Sequence, residues 1–309
     1  MLTADVLIPV YRPGDSFEEL LGRLKAQSVP VGRIIIMNTE EAYFPKELSE
    51  RYEGDGLEVH HLTKAEFDHG GTRDQGMRLS GADVVICMTQ DAMPADQELI
   101  QNLLKPFEDP QVWAAYARQL PAKDCSEVER YTRSFNYPDK SQVKSSKDLE
   151  QMGVKAFFCS NVCAAWRRDK YEALGGFETR TIFNEDMIYA GKLMQKGGKI
   201  AYCAGARVIH SHNYSALQQF HRYFDLAVSQ TMHPEVFGGV RSESEGMRLV
   251  KKSVQYCLKI KKPWLIGTVV TQNAGKFLGY KLGQRYKKLP RGLIKICTMN
   301  RLFWQEERA

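Results

Sequence analysis

Apolar residues fall along this chain in two alternating patterns. Short, nearly unbroken apolar runs occupy residues 5–10 (DVLIPV), 33–37 (RIIIM), 82–88 (ADVVICM) and 112–117 (VWAAYA), and each predicts a strand, as does the more polar 57–62 (LEVHHL). Between them, Phe17, Leu20, Leu21 and Leu24 recur at helical spacing behind Asp15 or Ser16 as a cap. Leu99, Leu103, Leu104 and Phe107 do the same, and a helix over 72–79 is expected after the Gly70-Gly71 turn. Continuous rather than alternating apolar strands, separated by helices, predict an α/β fold with a mostly parallel sheet covered on both faces. Ligands of such sheets bind beyond the carboxyl ends of the strands. Further on, 157–165 and 199–210 read as strands and 186–195 as a helix, whereas 120–155 is polar and poorly periodic, a long and partly helical excursion.

Charge divides the chain unevenly. From Arg248 to Ala309 there are 15 Lys and Arg against two acids, a net of +13, while residues 1–247 carry −7. The two parts therefore face different surroundings, with residues 1–235 as the α/β domain and 236–309 as a basic helical region. That region mixes its cations with Leu, Ile, Trp and Tyr, a pattern suited to an anionic membrane surface or to a homo-oligomer contact. Charge alone also suits nucleic acid, but no nucleic-acid-binding motif accompanies it, so none is expected as a partner. Seven dispersed cysteines without a CxxC pair read as reduced thiols of a cytoplasmic protein. The N-terminus lacks the pattern of a secretory signal, and no window is apolar enough to predict a transmembrane helix.

Three segments carry candidate chemistry. In MTQDAMP, residues 88–94, Asp91 follows the fourth apolar run directly. A carboxylate there is either a turn residue or a ligand for a divalent cation that bridges phosphates, and Mg²⁺ and Mn²⁺ use one or two such carboxylates. His210 and His212 follow another apolar run and can add nitrogen ligands. In FDHGGTRDQGM, residues 67–77, the glycines permit close approach and the following helix N-terminus favours an anion, with Arg73 able to grip phosphate in a bidentate fashion. In NED, residues 184–186, two acids open a helix, where they also balance its dipole. A carboxylate there can serve as general base if it is ionised, which an unperturbed Asp with a pKa of roughly 3.9 satisfies.

Taken in order, these segments resemble the inverting family 2 glycosyltransferases of the GT-A fold over about residues 4–230. VLIPVYRP resembles the first nucleotide-contacting strand, TQDA the Asp-x-Asp metal motif, and NED the motif with the catalytic base. EFDHGGTRDQG, TQDA and HSHNYS are similar to the bacterial rhamnosyltransferase branch, which builds cell-surface polysaccharide from dTDP-rhamnose. The resemblance implies Asp186 as catalytic base and Asp91 with His210 or His212 on Mn²⁺ or Mg²⁺. It implies Pro9, Val10, Tyr11, Asp68, Arg73, Gln90 and Glu185 around the nucleotide sugar. Two positions depart from the family pattern: Thr89 replaces the first acid of Asp-x-Asp, and Asn38-Thr39-Glu40 replaces an acid-rich run. The implied partners are dTDP-rhamnose and a saccharide acceptor, polyprenyl-linked, at the inner face of the cell membrane. Three other readings compete. One is a transferase using a UDP-hexose, and another an inactive scaffold of a polysaccharide-synthesis complex, against which the retained Asp91, Arg73, Asp186 and histidines argue. The third is a nucleotidyltransferase, whose Gly-rich basic loop PVYRPGDS lacks.

Overall fold

The structure, a computed structural model, describes residues 2–52, 54–240 and 244–306. Nine strands form one sheet: β1 (Ala4–Tyr11), β2 (Ile34–Thr39), β3 (Leu57–Leu62), β4 (Val84–Met88), β5 (Met93–Pro94), β6 (Val112–Leu120), β7 (Gln142–Lys144), β8 (Cys163–Arg167) and β9 (Lys199–Ile209). Their order is β3-β2-β1-β4-β8-β6-β9-β5, with β7 also paired to β9. Strands β1 to β4, β6 and β9 run one way, and β5, β7 and β8 run against their neighbours. The sheet is thus mostly parallel, as expected, with an antiparallel strand inserted between β4 and β6.

The unbroken apolar runs have a direct physical reason. Successive strand residues point to opposite faces, and both faces are covered. Ile8, Ile34, Ile36 and Ile86 pack on one side with Phe17, Leu20, Leu99 and Leu103 from the Ser16–Lys25 and Leu99–Leu104 helices. Leu7, Ile35, Val85 and Cys87 pack on the other with Met77, Tyr171, Ile188 and Leu193 from the His69–Leu79, Arg168–Ala173 and Glu185–Gln195 helices. All seven cysteines are buried and unbridged.

Several boundaries differ from the sequence reading. The third helix begins at His69, so both glycines lie inside its first turn. Only Cys163–Arg167 of the apolar stretch after Phe157 is strand, because Phe158–Val162 forms the loop that enters the site. The polar excursion resolves into the Glu127–Asn136 helix, β7 and short turns.

The C-terminal region packs on the α/β part through the Leu265–Gly283 helix, which lies along the Ala216–Met232 helix. Gly275, Gly279 and Gly283 make that approach feasible. A Cβ on each would fall 2.4, 2.1 and 2.4 Å from the carbonyl oxygens of Ala216, Phe220 and Phe224. Asp225 secures the segment beyond, accepting from Thr298 Oγ1 at 2.6 Å and Met299 N at 2.8 Å. Among the described residues no helix is long and apolar enough to cross a membrane.

Candidate active site

The carboxyl ends of β1, β4, β6 and β9 and the start of β8 share one edge of the sheet, and this edge gathers most of the predicted residues. Asp91 follows β4, and His210 and His212 follow β9. Asp91 Oδ2 lies 3.5 Å from His210 Nε2 and 3.4 Å from His212 Nε2. The three ligand atoms all fall within 4.8 Å of one another.

The protonation of His210 follows from its neighbour. Gln119, near the end of β6, places Oε1 3.1 Å from His210 Nδ1, and the same oxygen accepts from Arg133. An oxygen accepts only, so Nδ1 carries a proton and Nε2 is the nitrogen that faces the Asp91 carboxylate. In the neutral ring that nitrogen bears a lone pair, which opposed to an anion is unfavourable until a cation or proton sits between them. The donor set, one carboxylate and two imidazoles, fits a divalent transition cation. Burial works against the charge of Asp91, but the imidazoles of His210 and His212 hold its carboxyl well below the usual range. Burial, followed by the neighbouring His210, pushes His212 down, toward the neutral form that ligates. Replacing Gln119 with Leu removes the acceptor that fixes the tautomer. Mn²⁺ affinity, measured by calorimetric titration, is expected to fall about 10- to 100-fold. An unchanged affinity would contradict this role for Gln119.

Asp186 lies in the first turn of the Glu185–Gln195 helix, partly buried. Its Oδ2 accepts from Asn161 N at 3.0 Å and its Oδ1 from Met187 N at 2.7 Å. Burial, then the negative charge of Glu185, pushes its pKa up to about 7, so the unperturbed value expected from sequence does not hold. Glu185 itself is buried, 3.1 Å from Arg73 and 3.2 Å from Asn161 Nδ2. Asn161 Oδ1 accepts from Trp166 Nε1 at 2.9 Å. Asn161 therefore ties both acids of the NED segment to the core.

The structure corrects the expected use of the FDHGGTRDQGM segment. Arg73 is buried with Glu185 and donates to His69 O at 3.0 Å, so its guanidinium is a prop under the acids rather than an open phosphate grip. Its Nε is buried without a partner among the described residues. Asp68 caps its helix, accepting from Gly71 N at 2.5 Å and from Arg180 N at 3.0 Å. The close approach at Gly70 is made by backbone: a Cβ there would stand 1.8 Å from Glu178 O. Pro9 and Val10 lie within β1, and Val10 is buried in the core. Tyr11 is the exposed residue at the strand end.

Gln90 clamps that end. Its Oε1 accepts from Tyr11 N at 2.8 Å and its Nε2 donates to Tyr11 O at 3.1 Å. Tyr11 meets Tyr43 edge-to-face at 5.7 Å, and Arg12 stands over Tyr43 at 4.2 Å and donates to its hydroxyl at 2.7 Å. This exposed aromatic and cationic cluster borders the site. The sequence reading missed Arg12, Tyr43, Gln119 and Asn161. RP in VLIPVYRP placed Arg12 beside a candidate, but the other three carry no local signal.

Comparison with known proteins gives three further observations. The family model described as "Glycosyl transferase family 2" matches residues 5–175. The O-antigen chain rhamnosyltransferase RfbN of Salmonella typhimurium is 38% identical over 303 residues, 97% of this chain and 95% of that protein. The O-antigen chain rhamnosyltransferase WbaN of Salmonella anatum is 36% identical over 304 residues, with the same coverage. Among solved structures, the mannosyltransferase PcManGT of Pyrobaculum calidifontis, in complex with GDP-Man and Mn²⁺, superimposes with a TM-score of 0.58 at 16% identity, over 96% of this chain and 84% of that one.

Proposed function

The chain belongs to glycosyltransferase family 2, and from that premise we propose that it transfers L-rhamnose from dTDP-rhamnose to a saccharide acceptor in surface-polysaccharide synthesis. The observation that carries the reading is the meeting, at one sheet edge, of the Asp91–His210–His212 cluster and the propped carboxylate of Asp186, in a chain with rhamnosyltransferase relatives along nearly its whole length.

Asp91, His210 and His212 would hold the divalent cation, and their nitrogen-rich set favours Mn²⁺ over Mg²⁺. When bound, the cation neutralises charge that develops on the departing nucleoside diphosphate. Tyr11 and Tyr43 offer aromatic faces for the base. Asp186, ionised, takes the proton of the acceptor hydroxyl as that oxygen attacks the anomeric carbon on the face opposite the diphosphate. One displacement inverts the configuration, so a β-L donor yields an α-rhamnoside. Arg73 and Asn161 keep the two acids in place without touching the sugar.

The acceptor in this reading is a polyprenyl-linked saccharide at the cytoplasmic face of the membrane. Supporting it, Val270, Phe277, Leu278 and Ile296 are exposed on C-terminal helices that also carry Lys276, Lys281, Arg291 and Lys295, and Trp264 is exposed just before the first of them. Cations near an anionic bilayer contribute about 1 kcal/mol each. Sedimentation with liposomes is expected to show binding that rises with anionic lipid and falls in Phe277→Asp. Equal binding to neutral and anionic liposomes would contradict the electrostatic part.

A donor panel of dTDP-rhamnose, UDP-glucose, UDP-GlcNAc and UDP-galactose, each with Mn²⁺ and with EDTA, tests the reading. Selective, Mn²⁺-dependent consumption of dTDP-rhamnose is expected. Use of a UDP-hexose instead would discard the donor, and binding of none would return weight to a scaffold role.

A further inference from the structure

A second cavity, of about 130 Å³, opens beside the candidate active site, between the end of β6, the Glu127–Asn136 helix and the Ser244–Lys259 helix. Its wall includes Arg118, Gln119, Arg130, Tyr131, Tyr137 and Tyr256. Gln119 is the residue that orients His210, so the cavity and the cation cluster share a wall. Tyr131 and Tyr256 stack at 4.4 Å with rings 20° apart and join the transferase part to the basic region.

The two arginines of this cavity are held by backbone carbonyls. Arg118 donates Nε to Tyr137 O at 3.2 Å, and Arg130 donates one terminal nitrogen to the carbonyls of Ala122 and Cys125 at 3.3 and 3.4 Å. Neither makes an ion pair with a carboxylate of the described residues, whereas Arg23, Arg33, Arg73, Arg133, Arg168 and Arg207 all do. The acids of the adjoining helix are already taken: Glu127 pairs with Lys262 and Glu129 with Arg133. Two guanidinium groups facing one small hollow repel each other and attract an anion, and guanidinium geometry suits phosphate oxygens. The Tyr131 ring gives the hollow an apolar side and a hydroxyl.

We propose that this cavity binds the diphosphate of a lipid-linked acceptor, with Arg118 and Arg130 as its ligands. The assignment rests on the acceptor reading above and deepens it. The cation cluster takes the donor diphosphate, and the arginine cavity takes the acceptor diphosphate. The saccharide between the two reaches Asp186 with its hydroxyl, and the lipid continues toward the basic C-terminal helices. One pole of charge on each side of Gln119 keeps the two diphosphates from competing for one place.

The test is calorimetric titration of the full chain in EDTA with farnesyl diphosphate, inorganic pyrophosphate and farnesol. Farnesyl diphosphate is expected to bind, more tightly than pyrophosphate, and farnesol not to. Arg118→Gln should weaken farnesyl diphosphate at least tenfold and Arg118→Lys less, while Tyr131→Phe gives a smaller loss. Binding of dTDP with Mn²⁺ to each variant reports that it is folded, and that ligand should not displace farnesyl diphosphate from the unaltered chain. Four results would overturn the proposal: equal affinity in Arg118→Gln, displacement by dTDP with Mn²⁺, farnesol binding as tightly as farnesyl diphosphate, or pyrophosphate binding as tightly, which assigns the cavity to free phosphate. Failure of the donor reading is distinguishable, because it appears as use of a UDP-hexose with the Arg118 dependence intact.

Discussion

Asp186→Asn is expected to lower turnover by roughly 10²- to 10⁴-fold, the usual worth of general base catalysis, while dTDP-rhamnose still binds in the presence of Mn²⁺. Asn keeps the shape, and its oxygen can still accept from Asn161 N or Met187 N, so the loss isolates proton transfer. The pH profile carries a second signature. Burial and the Glu185 charge favour the protonated acid, which pushes the pKa of Asp186 up to about 7. The base works only when ionised, so kcat should rise tenfold per pH unit below about 7 and level off above it. Glu185→Gln removes the like charge and should move the midpoint down, while the now partnerless Arg73 lowers stability. Stopped assays across pH 5 to 9 with the unaltered chain and both variants provide the check. Near-normal turnover in Asp186→Asn would remove Asp186 from the mechanism.

Asp91→Asn, or EDTA added to the unaltered chain, is expected to cut activity on the order of 10³-fold, which corresponds to several kcal/mol of charge stabilisation at the leaving diphosphate. His210→Ala should follow in the same direction, and excess Mn²⁺ should restore His210→Ala more than Asp91→Asn, because the carboxylate supplies the anionic ligand. The structural reason is that the carboxylate and the two imidazoles converge within 4.8 Å, with His210 Nε2 directed at the Asp91 carboxylate. Full activity after exhaustive chelation would contradict a cation at this position.

Much of the sheet was legible because burial on both faces leaves unbroken apolar runs, as in Val84–Met88 and Ile34–Thr39. The carboxyl-end location of Asp91 followed from the same pattern. Strand direction was not legible: nothing in CAAWR says that β8 runs against β4 and β6, yet this reversal brings Asn161, just before β8, to the active edge. The supporting residues were hidden for the same reason. Gln119 meets His210 across 91 positions, and Asn161 meets Glu185 across 24. Arg73 and Glu185 each looked like a ligand for substrate because neither shows in sequence that it is neutralised by the other. The two glycines before Thr72 read as a turn because glycine is a poor helix former, but Gly70 lies within the helix, where Glu178 leaves no room for a side chain. In the C-terminal region Trp264 and Phe277 are exposed whereas Tyr286 is buried, a division that the residue types alone do not announce.

The most direct measurement of the cation site is the anomalous X-ray difference map of crystals grown with Mn²⁺ and dTDP. A manganese peak is expected within ligand distance of Asp91, His210 and His212, with the diphosphate against it on the side of Asp186. Manganese bound elsewhere, or dTDP seated at this edge with no metal among those three residues, would rule out a cation held by this cluster.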